Sequence, residues 1–215
     1  MSFPRKYSKT LSKTANVKSI KILIRGKDSK NKCEVFVLPK IHILLSNFLD
    51  TGSKVIAALT GCRYPHASVG FDDDINTFYS FVTRGFIVEK ISRYIKPGRA
   101  PYSCQLYTLE VSEKVYLRIK ELISYFVKYK PYLGYSRLGM VLSLVGIPYK
   151  PSPLKYFCSQ FVAEVLERAG AVRLKKKSRK YFSNDLKALP GMKLSFQGNM
   201  KTMLESFGSA PLGNI

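Results

Sequence analysis

The chain has no tryptophan and, among 215 residues, two histidines and four cysteines. His42 and His66 are too few for a histidine-rich metal centre, so any Cys–His chemistry has few possible members. Cys33, Cys62, Cys104 and Cys158 form no CxxC pair, and no two lie closer than 29 positions. That spacing suggests neither a zinc ribbon nor a small disulfide scaffold. Acid is scarce as well: 14 Asp and Glu stand against 36 Lys and Arg, for a net charge of +22. Such an excess predicts attraction to polyanions, whether nucleic acid, anionic lipid or acidic cell-wall polymer, and charge alone does not choose among them. The longest apolar runs, such as Met140 to Ile147, fall far short of the ~20 residues a membrane-spanning helix needs. The basic start is not followed by the apolar core of about 7–15 residues that marks a secretory signal. Without such a signal, and with cysteines suited to a reducing compartment, the expected location is the cytoplasm.

What is present is enough for a core. Hydrophobic residues make up 46% and aromatic residues 13% of the chain, which excludes wholesale disorder. The length suits one domain with decorated ends. Residues 1–18, with Arg5, Lys6, Lys9, Lys13 and Lys18 and no acid, read as a basic N-terminal arm. Residues 19–200 read as a single domain and 201–215 as a C-terminal tail.

Ile20–Gly26 and Cys33–Leu38 have strand character. Ile41–Phe48 and Ser53–Leu59 read as helical. Pro65–Phe71 and Asn76–Phe81, aromatic and β-branched around Asp72-Asp73-Asp74, predict a hairpin. Residues 84–101 read as irregular, with Pro97-Gly98 and Pro101 as breakers. Cys104–Val111 reads as a strand, and Ser112 as the cap of a helix whose apolar stripe is Val115, Ile119, Leu122, Ile123 and Phe126. Leu138–Val145 is a short apolar helix ended by Gly146 and Pro148. The clearest helix follows in FCSQFVAEVLERAGAV. There Cys158, Phe161, Val162, Val165, Leu166 and Ala169 share a face, Glu164 and Arg168 pair on the outside, and Gly170 suits the C-terminal cap. A last strand is expected over Lys193–Gln197.

Cys158 opens that helix. A thiol at a helix N-terminus meets the positive end of the dipole and several unpaired backbone N–H groups. Both stabilise a thiolate, and the same N–H groups can hold an oxyanion after attack on a carbonyl. The competing reading is a small buried hydrophobe. His66 tips the balance, because it lies at the start of a hairpin strand beside the small residues Ala67 and Ser68. If the turn is centred on Asp73, His66 faces Ser80, whose hydroxyl could fix the imidazole tautomer. That would complete a nucleophile, base and orienter set. A one-residue shift would present Phe81 instead.

PHASVGFDDDINTFYSF, followed downstream by YFCSQFVAEVLERAG, resembles the circularly permuted branch of the NlpC/P60 papain-like hydrolases, in particular the YiiX/YebB-like group. In that branch the histidine strand precedes the cysteine helix, as His66 precedes Cys158. The resemblance runs from about Ile20 to Leu186 and is carried by those two motifs. It implies an α+β, permuted papain-like fold with the nucleophile-bearing helix packed on an antiparallel sheet. It also implies Cys158 as nucleophile, His66 as general base and a polar third member on a following strand. Ser80 matches that position, where many relatives have a carboxylate or amide. The implied reaction is attack on a peptide, amide or lipid-ester carbonyl, needing neither metal nor organic cofactor.

Among the other candidates, His42 beside Ile41, Ile43, Leu44 and Leu45 reads as structural. Cys33 and Cys104 read as core residues and Cys62 as part of a turn. The cluster Arg173, Lys175, Lys176, Lys177, Arg179 and Lys180 reads either as a solvated loop or as a docking patch for an anionic surface or polymer, aided by Tyr181-Phe182. No recognisable nucleic-acid-binding motif accompanies it. Two function classes remain: a cysteine hydrolase, or a non-catalytic basic module that binds nucleic acid or another anionic polymer. A pure binder has no reason to bring Cys158 and His66 together.

Overall fold

Short runs of β-branched and aromatic residues dominate the first half of the chain, and amphipathic helices the second; the fold layers one on the other. The structure is a computed structural model that describes residues 21–23, 34–36, 38–48, 57–59, 61–98, 100 and 102–208. The fold is α+β. Strands β1 (Lys21–Leu23) and β2 (Glu34–Phe36) pair antiparallel with Ile22 opposite Val35. Cys33 and the basic arm 1–18 lie outside the described residues, as does most of the helix expected over Ser53–Leu59, of which 57–59 are helical.

The main sheet is six-stranded and antiparallel, in the order β10-β7-β3-β4-β5-β6. Its strands are β3 (Lys40–Ser46), β4 (His66–Phe71), β5 (Asp74–Val82), β6 (Gly85–Lys90), β7 (Ser103–Glu110) and β10 (Lys193–Asn199). Two expectations are corrected here. Ile41–Phe48 is not helical: its residues through Ser46 form β3, in the middle of the sheet between β4 and β7. Both faces of β3 are covered, so Ile41 to Ser46 are all buried and the alternation that marks a half-exposed strand is missing. Residues 84–101 are not irregular throughout, because Gly85–Lys90 form β6 and Ile91–Tyr94 a 3-10 turn. Gly85 makes the β5–β6 hairpin possible. It takes φ +104, where an L side chain is strained, and an added Cβ would run into the Leu133 carbonyl oxygen.

The predicted β4–β5 hairpin is present, in a different register. Val69 faces Tyr79 and Gly70 faces Phe78, and then a bulge brings Phe71 opposite Asp74. Carried back along the strands, this register sets Val82 rather than Ser80 opposite His66. The parity is unchanged, so Ser80 still shares the face of Ser68 and His66.

Helix α1 (Glu113–Lys128) is capped by Ser112, whose side chain accepts from the Val115 amide. After it come β8 (Gly134–Tyr135), α2 (Arg137–Leu144) and β9 (Lys155–Tyr156), which pairs parallel with β8. Helix α3 (Cys158–Ala169) ends at Gly170, which is left-handed at φ 78. Its face Phe161, Val162, Val165, Leu166 and Ala169 is buried against β4, β5 and α1. Phe161 sits inside an aromatic cluster, with ring centroids 5.2 Å from Phe81, 5.7 Å from Phe86 and 4.9 Å from Phe126. Each such side chain, fully buried, stabilises the fold by roughly 1.5–3 kcal/mol. Glu164 and Arg168 pair at 3.7 Å, but Glu164 is turned partly inward to Tyr156 and Ser178.

The opposite face of the sheet carries a second cluster. Leu44, Phe78, Cys104 and Leu106 meet Met200 and Met203 of α5 (Met200–Gly208). The segment read as a tail from residue 201 therefore begins as a helix that closes this face. A short helix, α4 (Ser183–Lys187), precedes β10. Among the described residues no helix is long and apolar enough to cross a membrane.

Candidate functional site

The segment leading into α3 carries Pro148, Pro151 and Pro153, which keep it from being helical, and the helix starts abruptly at Cys158. Phe157, the N-cap, is extended at φ −108 and ψ 161, and no side chain caps the first turn. Its ring is buried and stacked on Phe182 at 5.8 Å, which anchors the start of the helix. The Ser159 hydroxyl donates to the Tyr181 carbonyl at 2.8 Å. Two further donors converge on the carbonyl of Pro65, just before His66: Ser183 Oγ at 3.0 Å and the Cys158 thiol at 3.8 Å. The nucleophile candidate is thereby fastened to the entrance of β4.

His66 stands at that entrance, and the Cys158 thiol is bonded to the carbonyl of the residue just before it. Its Nε2 donates to Glu89 Oε1 at 2.6 Å. Ser68 donates to the other oxygen, Glu89 Oε2, at 2.9 Å, with its hydroxyl 3.3 Å from His66 Nε2. Nε2 is engaged, and Nδ1 is the ring nitrogen left without a hydrogen-bond partner. All three members are withdrawn from solvent, with Cys158 and His66 1% exposed and Glu89 3%. Burial opposes a charged imidazole, but the Glu89 carboxylate and the Cys158 sulfur outweigh it, and the His66 pKa lies well above its ordinary 6.5. Phe48 closes one side, edge-on to the imidazole at 5.6 Å and packed against Tyr94 and Tyr102.

The structure thus brings two of the three sequence-predicted residues, Cys158 and His66, together. Ser80 is close by but differently engaged, because its hydroxyl donates to the Ala67 carbonyl at 2.6 Å. Ser80 lies on β5, between β4 and β6, on the face Glu89 crosses to reach His66; a bulky residue there would stand between them. Sequence reasoning missed Glu89 because β6 was read as irregular. One signal could have found it: Glu89 is the only acidic residue between Asp74 and Glu110 in a strongly basic chain. It also ends a β-branched and aromatic run, where an acid is out of place unless paired.

Among the described residues four buried polar atoms lack partners, two of them on the paired residues Ser46 and His66. They are Ser46 Oγ, Asn47 Oδ1, His66 Nδ1 and Gln160 Oε1. Ser46 pairs with His66 across β3 and β4, and Asn47 follows it. Unsatisfied buried groups are rare, and the pair on neighbouring strands at Ser46 and His66 is not what an ordinary packed core leaves.

The remaining candidates have structural partners. His42 is buried on β3, not on a helix, with Nδ1 3.1 Å from Thr108 Oγ1. Burial lowers its pKa, opposed by Asp72 and reinforced by Lys40. Cys104 is fully buried, and burial pushes its thiol up to about 12. The Cys62 thiol donates to Asn184 Oδ1 at 3.5 Å. In the basic cluster, Lys176 bonds Asp185 at 2.7 Å and lies over the Tyr181 ring. Tyr181 is buried and Phe182 stacks on Phe157, so neither projects as a docking aromatic. Lys175, Lys176, Lys177 and Arg179 of the cluster line a groove of about 780 Å³ along α3, together with Lys150, Gln160 and Glu164. Among the described residues no group of three His, Cys, Asp or Glu side chains is placed to hold a metal ion.

Compared with known proteins, the sequence matches no family model and no curated protein.

Proposed function

We propose that the protein is a cysteine hydrolase on a permuted papain-like frame, with Cys158 as nucleophile, His66 as general base and Glu89 as the residue that positions His66. The observation that carries this reading is a buried imidazole bonded to a carboxylate, next in the chain to the carbonyl that a thiol at a helix N-terminus contacts. A module that only binds anions has no use for a buried His–Glu pair beside a thiol.

In the first half-reaction the Cys158 sulfur, its proton already passed to His66, attacks an amide or ester carbonyl as the thiolate of a thiolate–imidazolium pair. The tetrahedral oxyanion is held by backbone N–H groups of the uncapped first turn of α3. The intermediate collapses as His66 gives the proton to the leaving amine or alcohol, leaving a thioester. In the second, His66 takes a proton from water, the resulting hydroxide attacks the thioester, and the carboxylic acid and free thiol are released. Glu89 stabilises the imidazolium in both halves and, by holding Nε2–H, fixes the tautomer that presents Nδ1 to sulfur.

The test is the pH dependence of alkylation at Cys158 by iodoacetamide, located by peptide mass spectrometry, in the native protein and in His66→Ala. The expected result is a rate that stays high below about pH 7, where an ordinary thiol near ~8.5 is protonated, and falls at least about tenfold in His66→Ala. A Cys158 that reacts no faster than an ordinary thiol, or not at all, removes the reading.

A further inference from the structure

Helix α2 is short and amphipathic the wrong way round for a helix wholly inside a fold. Gly139 and Met140 face inward, Met140 onto Phe157 and Phe182. Leu138 is 71% exposed, Val141 37% and Val145 59%. These three recur at helical spacing, and Ile147, 52% exposed just past the helix, extends the stripe. Cations border it. Arg137 opens the helix, and the 3-10 turn Ser178–Lys180 packs against α2 and brings up Arg179 and Lys180. Arg179 lies over the Tyr149 ring at 5.3 Å, and Lys150 follows it.

We propose that this surface docks the protein on an anionic lipid membrane, with the aliphatic stripe entering the interface and the bordering cations meeting lipid phosphates. An aliphatic stripe gains from hydrocarbon while its cationic border gains from anionic headgroups, and a lipid surface offers both together. Single-stranded nucleic acid would reward the cations, but it favours aromatic stacking platforms, and the stripe is aliphatic. A second copy would meet the stripe isologously and press like-charged borders together in a chain of net charge +22. The docking surface stands independently of the hydrolase reading. If both hold, the inner side of the docking helix rests on Phe157, next to the nucleophile, and the docked protein would hold that centre near the bilayer.

The experiment is co-sedimentation of the full chain with vesicles of phosphatidylcholine alone and of phosphatidylcholine with phosphatidylglycerol. Leu138→Asp/Val145→Asp and Arg179→Glu/Lys180→Glu are compared with the native protein, and thermal melting checks that each variant is folded. The native protein is expected to pellet with the anionic vesicles only, and less as salt rises. The charge variant should bind at least about fivefold more weakly for each cation reversed. The aliphatic variant should lose about tenfold or more while keeping its salt dependence. The proposal is overturned if the native protein stays in the supernatant, or if the aliphatic variant binds as well as native. It is overturned equally if Leu138→Asp/Val145→Asp dissociates a dimer seen by sedimentation, or if an oligonucleotide binds more tightly than vesicles and the aliphatic variant binds it unchanged. Loss of alkylation at Cys158 leaves these outcomes untouched, so the two readings fail separately.

Discussion

Glu89 illustrates how much one residue depends on its strand. Its carboxylate reaches His66 with one oxygen and takes the Ser68 hydroxyl on the other. Glu89→Gln keeps the size but loses the charge that holds the imidazole protonated. It is expected to lower kcat/KM by about 10²–10⁴-fold and to move the alkaline limb of the pH profile to lower pH. Ser68→Ala, which leaves the carboxylate in place, should cost no more than about tenfold. A pH-rate profile on any turned-over ester or amide checks both; an unmoved alkaline limb in Glu89→Gln removes Glu89 from the mechanism. The pair also has a stability sign. The folded state binds the His66 proton more tightly than the unfolded chain, whose imidazole titrates near about 6.5. The stabilisation is therefore complete below that pH and is lost as pH rises through the raised folded value. Cys158 and His66 were legible because each has a local signature, a cysteine opening an amphipathic helix and a histidine in a hairpin. Glu89 has none until β6 is known to be a strand.

Among the elements, α1, α3 and the β4–β5 hairpin were legible because one face of each helix is wet or because the strands surround an obvious turn. Strand β3 was not, since burial on both sides erases periodicity. Nor was the hairpin register, which a bulge displaced without changing which residues share a face. The β5–β6 connection tests this level. Gly85→Ala must adopt a left-handed φ and push its Cβ into Leu133. The expected loss is about 2–4 kcal/mol, read as a lower urea midpoint with an unchanged slope. Because the same hairpin presents Glu89, the rapid alkylation of Cys158 should fade with it. A variant as stable as native would show that the turn is not under this constraint.

For the molecule as a whole, the α+β class and the charge were open to sequence reasoning. The strand order was not, because pairings such as β3 with β7 join segments far apart in the chain and leave no local trace. The net charge of +22 makes its own demand: the folded state concentrates repulsion that the unfolded chain spreads out. Raising sodium chloride from low to physiological strength should therefore raise the melting temperature, and polyphosphate should raise it further. A melting temperature indifferent to both would mean that the cations are already compensated locally.

Pro65, beside the base, and the sulfur that contacts it are 93 residues apart in the chain. During synthesis at roughly 5–20 residues per second, the cysteine leaves the ribosome on the order of 5–20 s after the histidine strand. His66 and Glu89, 23 residues apart, emerge close together and well before Cys158. On the proposed mechanism, a polypeptide released early, before α3, would therefore lack the nucleophile and be unable to carry out the reaction.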